Sequence, residues 1–251
     1  MTASTAEAAI ALRGLRHSFA GEPPVPVLRD MTLEVPTGAF ASIVGPSGCG
    51  KSTLLRILAG LVTPDGGEMQ VRGSAAFMPQ RDLLLPWRRA EDNAILGAVL
   101  GGVPDGEARA RAQALFATFG LAGFEQAWPG QLSGGMRQRL ALLRTFLTPR
   151  ETLLLDEPFG ALDAITRRQM QEWLQSVWLE DRRTVLLVTH DVDEALLLSD
   201  RVFIMSTRPG TIVESLDVSL ARPRGTRDTT TPAFTVLKAQ LLDALERGSA
   251  A

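Results

Sequence analysis

Phe40-Ala41-Ser42-Ile43-Val44 is a compact apolar run that stops at Gly45-Pro46-Ser47-Gly48-Cys49-Gly50-Lys51-Ser52-Thr53. A short run of this kind reads as a buried strand, and the glycines after it read as a loop. Beyond the loop, Leu54, Leu55, Leu58 and Leu61 recur at helical spacing, so Ser52 to Leu61 reads as a helix. Strand, Gly-x4-Gly-Lys-Ser and helix together form the phosphate-binding loop pattern. Its chemistry explains its residues. Glycines let the chain curl until several backbone N–H groups converge on phosphate oxygens, and the following helix adds its positive N-terminal end. Lys51 is expected to reach the β- and γ-phosphates, and the Ser52 hydroxyl to hold Mg²⁺. Gly45 to Thr53 is therefore the candidate nucleotide-binding set. Cys49 stands at a variable position of the pattern and reads as a filler residue rather than a nucleophile.

Outward from this loop the chain alternates strand and helix. Before it, Ile10 to Phe19 and Val27 to Val35 read as strands split by a Pro/Gly turn at Gly21 to Pro26, and Val62 to Gly73 after it reads as turn-rich. Glu91 to Leu100, Glu107 to Phe119 and Ser133 to Leu147 read as helices. Ala108, Ala112, Leu115 and Phe119 form a stripe on the second. From Thr152 the pattern is strand (to Leu155), helix (Ala164 to Trp178), strand (Thr184 to Thr189), helix (Asp191 to Leu198), then strands at Val202 to Met205 and Thr211 to Leu216. Such alternation implies a mostly parallel sheet covered on both faces, interrupted by a helical lobe at about residues 84–145. Residues 1–9 read as a disordered lead-in, and 221–251 as a basic, Pro-rich extension ending in a helix at Thr235 to Glu246. Met170, Trp173 and Trp178 read as packing residues.

Two further stretches carry chemistry. Thr152-Leu153-Leu154-Leu155-Asp156-Glu157 is a buried strand tipped by two acids, whose side chains alternate and can take different tasks. Asp156 is placed to hold Mg²⁺, directly or through water, and Glu157 to accept a proton from an attacking water. Leu132-Ser133-Gly134-Gly135 opens a helix with a natural N-cap and bare backbone N–H groups, a second anion site that an ordinary phosphate-loop enzyme does not need.

The phosphate loop, Leu132-Ser133-Gly134-Gly135 and Leu154-Leu155-Asp156-Glu157-Pro158, in this order, resemble the ATP-binding cassette of ABC transporters, over about residues 10–220. The resemblance implies an α/β P-loop NTPase fold: a RecA-like core with a mostly parallel sheet, an N-terminal antiparallel β subdomain and an inserted α-helical subdomain. It implies ATP and Mg²⁺ as ligands. Gln80, after Phe77-Met78-Pro79, matches the glutamine that senses Mg²⁺ and the permease. Gly160-Ala161-Leu162-Asp163 matches the loop that joins the two active sites, and His190 the histidine that touches the γ-phosphate. A second copy would place Ser133, Gly134 and Gly135 over the ATP of the first, and integral-membrane permease subunits with a separate solute-binding protein would complete the assembly at the cytoplasmic face of the membrane. One departure stands out. The family stacks adenine on a tyrosine, and this chain has none; Phe19 is the candidate, His17 the alternative. Leu84-Leu85-Pro86-Trp87 and Phe159 to Asp163 resemble the nitrate, sulfonate and taurine importer group, with pyrimidine thiamine-precursor importers similar; Trp87 could equally pack the helical lobe.

Composition narrows the classes. The 251 residues are 45% hydrophobic and 22% charged, with a net charge of −2 and a sequence pI near 5.8. That is a globular chain without the basic surplus expected of a nucleic-acid binder. A lone cysteine forms no internal disulfide. No run of ~18 apolar residues is present. Three readings compete with an importer subunit: a soluble ABC protein of translation or repair, a non-hydrolytic scaffold, and an exporter or cluster-assembly cassette. The chain lacks the second cassette or coiled coils of the first, and intact Glu157 and His190 speak against the second.

Overall fold

Burial sorts the strands into two kinds. The computed structural model describes residues 7–250. In chain order its elements are β1 (Ala8–Phe19), β2 (Val25–Pro36), β3 (Phe40–Val44), α1 (Lys51–Leu58), β4 (Gly66–Val71), β5 (Ala75–Met78), α2 (Ala90–Leu100), α3 (Asp105–Phe116), α4 (Gly134–Leu147), β6 (Thr152–Asp156), α5 (Ala164–Asp181), β7 (Thr184–Val188), α6 (Val192–Leu198), β8 (Arg201–Met205), β9 (Ile212–Asp217) and α7 (Pro232–Ala250). Every residue of β3, β6 and β7 is buried. Such strands need cover on both faces, which parallel pairing with helical crossovers supplies. They form the centre of a six-stranded sheet ordered β5-β6-β7-β3-β8-β9, parallel except for β9, which returns antiparallel beside β8. A separate antiparallel sheet, β2-β1-β4, lies at the N-terminal side.

The expected elements recur in the structure with boundaries moved by a few residues, and three differences have physical reasons. The turn-rich stretch 62–73 contains β4, an edge strand whose Gly-Gly-Glu-Met-Gln-Val sequence is almost wholly exposed and so carries no alternating pattern. Leu61 lies past the end of α1 and is 66% exposed, whereas Leu54, Leu55 and Leu58 are buried. β1 begins at Ala8, inside the expected lead-in, whose residues 1–6 lie outside the described residues.

Three helices, α2 to α4, make the inserted lobe. Ala108, Ala112, Phe116 and Phe119 are buried there, with Leu115 only partly so. Arg109 ties the lobe together through Glu91 (2.7 Å), Asp92 (2.8 Å) and Asp105 (2.7 Å). Trp173 of α5 packs edge-on against Phe119 and Phe146, centroids 4.3 and 5.0 Å away, and so joins lobe to core. Trp178 packs against Phe40 at 5.8 Å, and Met170 is buried, so all three residues serve packing. No helix among the described residues is long and apolar enough to cross a membrane.

The C-terminal segment docks as an extra layer. Phe234, Leu241 and Ala244 of α7 join Val44, Leu196, Val202 and Ile204 in one apolar cluster. Ahead of α7, Arg224 is only 3% exposed and, among the described residues, makes no bond to a carboxylate. Its guanidinium donates to the carbonyls of Leu196 (2.8 Å) and Ser199 (2.6 Å), at the negative end of α6, and to Val218 (3.1 Å) and Leu220 (2.8 Å). Burial, with Arg222 beside it, lowers this guanidinium to about 10. Removing it strands several buried carbonyls, each worth ~1–3 kcal/mol when unsatisfied. Arg224→Met is therefore expected to lower stability by roughly 2–4 kcal/mol, read from the urea midpoint; an unchanged midpoint contradicts this role.

Candidate nucleotide-binding site

Four parallel strands end along one edge of the sheet, and each delivers a candidate residue there. The phosphate loop follows β3, Gln80 follows β5, Asp156 and Glu157 end β6, and His190 follows β7. Open α/β sheets bind ligands at this carboxyl edge. A cavity of about 310 Å³ opens on it, lined by Phe19, Val27, Ser47, Gly48, Gly50, Lys51, Ser52, Thr53, Gln80, Glu157 and Arg208.

The loop's curl depends on left-handed backbone. Gly50 has φ 113°, and a Cβ there would lie 2.7 Å from Leu28 Cδ2, so only glycine fits. Lys51 is held inside the curl by the carbonyls of Gly45 (2.7 Å) and Pro46 (2.8 Å). Cys49 is buried in the core, its Sγ 3.8 Å from Lys51 Nζ, in keeping with a packing residue. Ser52 Oγ donates to Asp156 Oδ1 at 3.1 Å. Asp156 is 2% exposed. Burial pushes its carboxyl above the usual range, the Ser52 bond pulls it back, and neighbouring Glu157 adds to the rise. A cation bound there would favour the ionised form.

Glu157 adopts φ 49°, a left-handed conformation uncommon outside glycine, and its N–H donates to Val188 O at 2.9 Å. That backbone turn sets its carboxylate between two partners. Gln80 Nε2 donates to Oε2 at 3.1 Å, and His190 Nδ1 lies 3.4 Å from the same oxygen. Gln80, Glu157 and His190 are thus brought together beside Lys51 and Ser52.

Phe19 stands at the cavity rim, 43% exposed. His17 lies beneath it, ring edge to ring face at 5.2 Å, and is only 7% exposed. Of the two, Phe19 presents an open aromatic face. Ser133, Gly134 and Gly135 do not line the cavity. Ser133 caps α4 by accepting from Met136 N at 3.2 Å, and both Ser133 and Gly134 are exposed.

Besides Arg208 in the cavity wall, three residues around the site went unread in the sequence. Gln138 Nε2 lies 3.4 Å from Glu157 O. Arg137 Nε donates to Asp82 Oδ2 at 3.0 Å, and Arg144 donates to the carbonyls of Asp82 (2.7 Å) and Leu83 (2.9 Å). Together they strap α4 to the segment after Gln80 and to the tip of β6. Partners 19 to 62 residues apart leave no local signal.

Strand ends, phosphate loop and paired acids define a phosphate-loop nucleotide-binding cassette. Residues 28–160 match the family described as ABC transporter. The chain is 49% identical over 225 residues to the aliphatic sulfonates import ATP-binding protein SsuB 1 of Rhodococcus jostii, covering 87% of each chain. It is 46% identical over 194 residues to the formylaminopyrimidine import ATP-binding protein ThiZ of Halalkalibacterium halodurans, covering 76% of this chain and 78% of the other. Among solved structures it is similar to the ATP-binding cassette MJ0796 in a dimeric, post-hydrolysis state bound to ADP and Pi, with TM-score 0.77, 28% identity, and coverage of 84% and 100%. The chain belongs to the ABC transporter family.

Behind His190, Asp191 caps α6 by accepting from Glu194 N at 3.0 Å, while its own N–H donates to Thr189 Oγ1 at 3.0 Å. Glu194 is 4% exposed and accepts from Gln171 Nε2 at 3.1 Å. Burial pushes its carboxyl up to about 7; bonds from Thr189 and Gln171 oppose the rise. The folded state therefore binds this proton more tightly than the unfolded chain, and stability falls as pH rises from about 4.5 to about 7. Glu194→Gln removes that loss. Its stability relative to wild type is expected to improve between pH 5 and pH 8 by up to about 3 kcal/mol in urea titrations. Identical pH dependence in both proteins contradicts the assignment.

Proposed function

We propose that this chain hydrolyses ATP at a site completed by a second copy of itself, and that the cycle drives import of a small solute through a separate membrane permease. The observation that carries the proposal is the split between two anion sites. The cavity beside Lys51 gathers the phosphate loop, Gln80 and Glu157, while the α4 N-terminus at Ser133 to Gly135 lies outside it, with Ser133 and Gly134 exposed. A partner turned head to tail would supply that helix end to the γ-phosphate. Ile165, 73% exposed just past Asp163, offers apolar surface beside the loop assigned to the same contact.

In this reading Lys51 and the loop N–H groups hold the β- and γ-phosphates. Ser52 Oγ, Asp156 and the Gln80 amide oxygen supply hard oxygen donors suited to Mg²⁺, which neutralises phosphate charge when bound. No cluster of three acidic, histidine or cysteine ligands occurs among the described residues. Glu157 accepts a proton as water attacks the γ-phosphorus, ADP leaves, and phosphate is formed. His190 keeps the carboxylate aimed and reaches the γ-phosphate; Phe19 stacks on adenine. Loss of the γ-phosphate removes the charge that joins the two copies, and the dimer opens.

Permease docking is supported by apolar surface between core and lobe. A groove of about 460 Å³ is lined in part by Leu61, Phe77, Pro79, Leu83, Leu96 and Leu100. Leu83 and Leu100 are 60% and 78% exposed. Trp87 nearby is 71% exposed and is not a packing residue of the lobe. Such patches mark interaction sites. Working with a permease places the chain at the cytoplasmic membrane face, with a separate binding protein delivering solute on the other side. The relatives named for aliphatic sulfonates favour a sulfonate within the nitrate, sulfonate and taurine group that the sequence resembles, and the one named for formylaminopyrimidine leaves a pyrimidine thiamine precursor as second reading.

Glu157→Gln is expected to keep ATP affinity, lose at least ~100-fold in phosphate release, and sediment as a dimer with MgATP; retained turnover removes Glu157 from its role. Lys51→Ala is expected to weaken nucleotide binding at least ~10-fold in titrations, and unchanged affinity contradicts the site. For the solute, gene deletion is expected to abolish growth on an alkanesulfonate as sole sulfur source. Unimpaired growth contradicts the sulfonate reading, and loss confined to pyrimidine-precursor salvage assigns the second.

A further inference from the structure

The loop between β8 and β9, residues 206–211, is pinned against the nucleotide site from several sides. Gly210 N donates to Val27 O at 2.8 Å, and Arg29 N donates to Gly210 O at 2.9 Å. A Cβ on Gly210 would collide with the backbone carbonyl of Cys49, so the loop lies directly on the phosphate loop. Ser206 closes its base through Thr211: Ser206 N donates to Thr211 O at 3.0 Å and Thr211 N donates to Ser206 Oγ at 3.1 Å, and Thr207 N donates to Gly248 O at 3.1 Å. The tip of this braced loop is Arg208. Its side chain lines the same cavity as Phe19, Val27, Ser47 and Gly48. Nε donates to Pro26 O at 3.1 Å. Pro26 pairs with Ser18, the neighbour of Phe19, so the guanidinium is anchored at the Phe19 end of the cavity. Among the described residues no carboxylate forms an ion pair with it.

We infer that Arg208 is a nucleotide-binding residue that grips the base-and-ribose end of ATP beside Phe19. This rests on the nucleotide site proposed above. The chemistry fits that end of the ligand. Adenine and ribose present acceptor atoms and a π face; a guanidinium is a planar donor that hydrogen-bonds the first and stacks on the second. With Nε anchored on Pro26, the two terminal nitrogens make no hydrogen bond among the described residues and their direction is fixed in advance, so little freedom is lost on binding. Phe19 is a plain hydrocarbon ring without a hydroxyl, and Arg208 supplies the polar contact that Phe19 lacks.

The test compares two ligands on the full-length protein with Mg²⁺ present. ATP carries base and ribose; inorganic tripolyphosphate carries neither. Arg208→Ala is expected to weaken ATP binding about tenfold in calorimetric titration while leaving tripolyphosphate affinity unchanged, and Arg208→Lys to recover only part of the loss. Unchanged ATP affinity in Arg208→Ala overturns the inference. Equal loss for both ligands also overturns it, since Arg208 would then act on the phosphates or on the loop's fold. Failure of the wild-type protein to bind ATP would instead overturn the nucleotide site itself.

Discussion

The account depends on placing concentrated negative charge against backbone N–H groups that have no other partner. A triphosphate is too strongly hydrated to leave water for an apolar cleft. It needs converging donors, a lysine and a cation, held rigid before it arrives. Here rigidity comes from the sheet. β3, β6 and β7 are buried along their whole length, so their ends cannot drift relative to one another. Lys51, Asp156, Glu157 and His190 inherit that precision because each follows directly from a buried strand or the helix after it. The left-handed turn at Glu157 aims its carboxylate at Gln80 and His190 rather than along the strand.

The same arrangement explains how an event at the phosphates is passed on. Gln80 touches Glu157, and the chain just beyond Gln80 is strapped to α4 by Arg137 and Arg144. Gln138 approaches the tip of β6 from the same helix. The helix whose N-terminus would grip a partner's nucleotide is therefore joined to the residues around its own. Exposed Leu83 and Trp87 sit on the strapped segment, so a shift there is presented to whatever covers that groove. Arg222 and Arg224 brace the carbonyls at the end of α6, which begins one residue after Asp191.

Much of this was legible in the sequence because the informative residues are close together. The Phe40–Val44 strand, the glycine spacing after it, and the two acids ending an apolar run each declare themselves within about ten residues. Ser133 before two glycines marked its helix start in the same way. What escaped notice is non-local or featureless. β4 is exposed and glycine-led, so it lacks periodicity. Arg208 sits more than 150 residues from the phosphate loop it faces, in a stretch that reads only as a turn. The sequence makes Phe19 the candidate and His17 the alternative, two residues apart on β1; His17 is buried and Phe19 exposed, which favours Phe19.

The central claim is that each nucleotide is shared between copies, and mixing two inactive chains tests it most directly. Lys51→Ala disables the phosphate loop, and Ser133→Arg blocks the α4 N-terminus. In a mixed dimer one site would carry both defects and the other neither. The account predicts that combining the two variants restores MgATP-dependent phosphate release that neither shows alone. If the mixture stays as inactive as its components while wild-type protein turns over, the shared site is wrong.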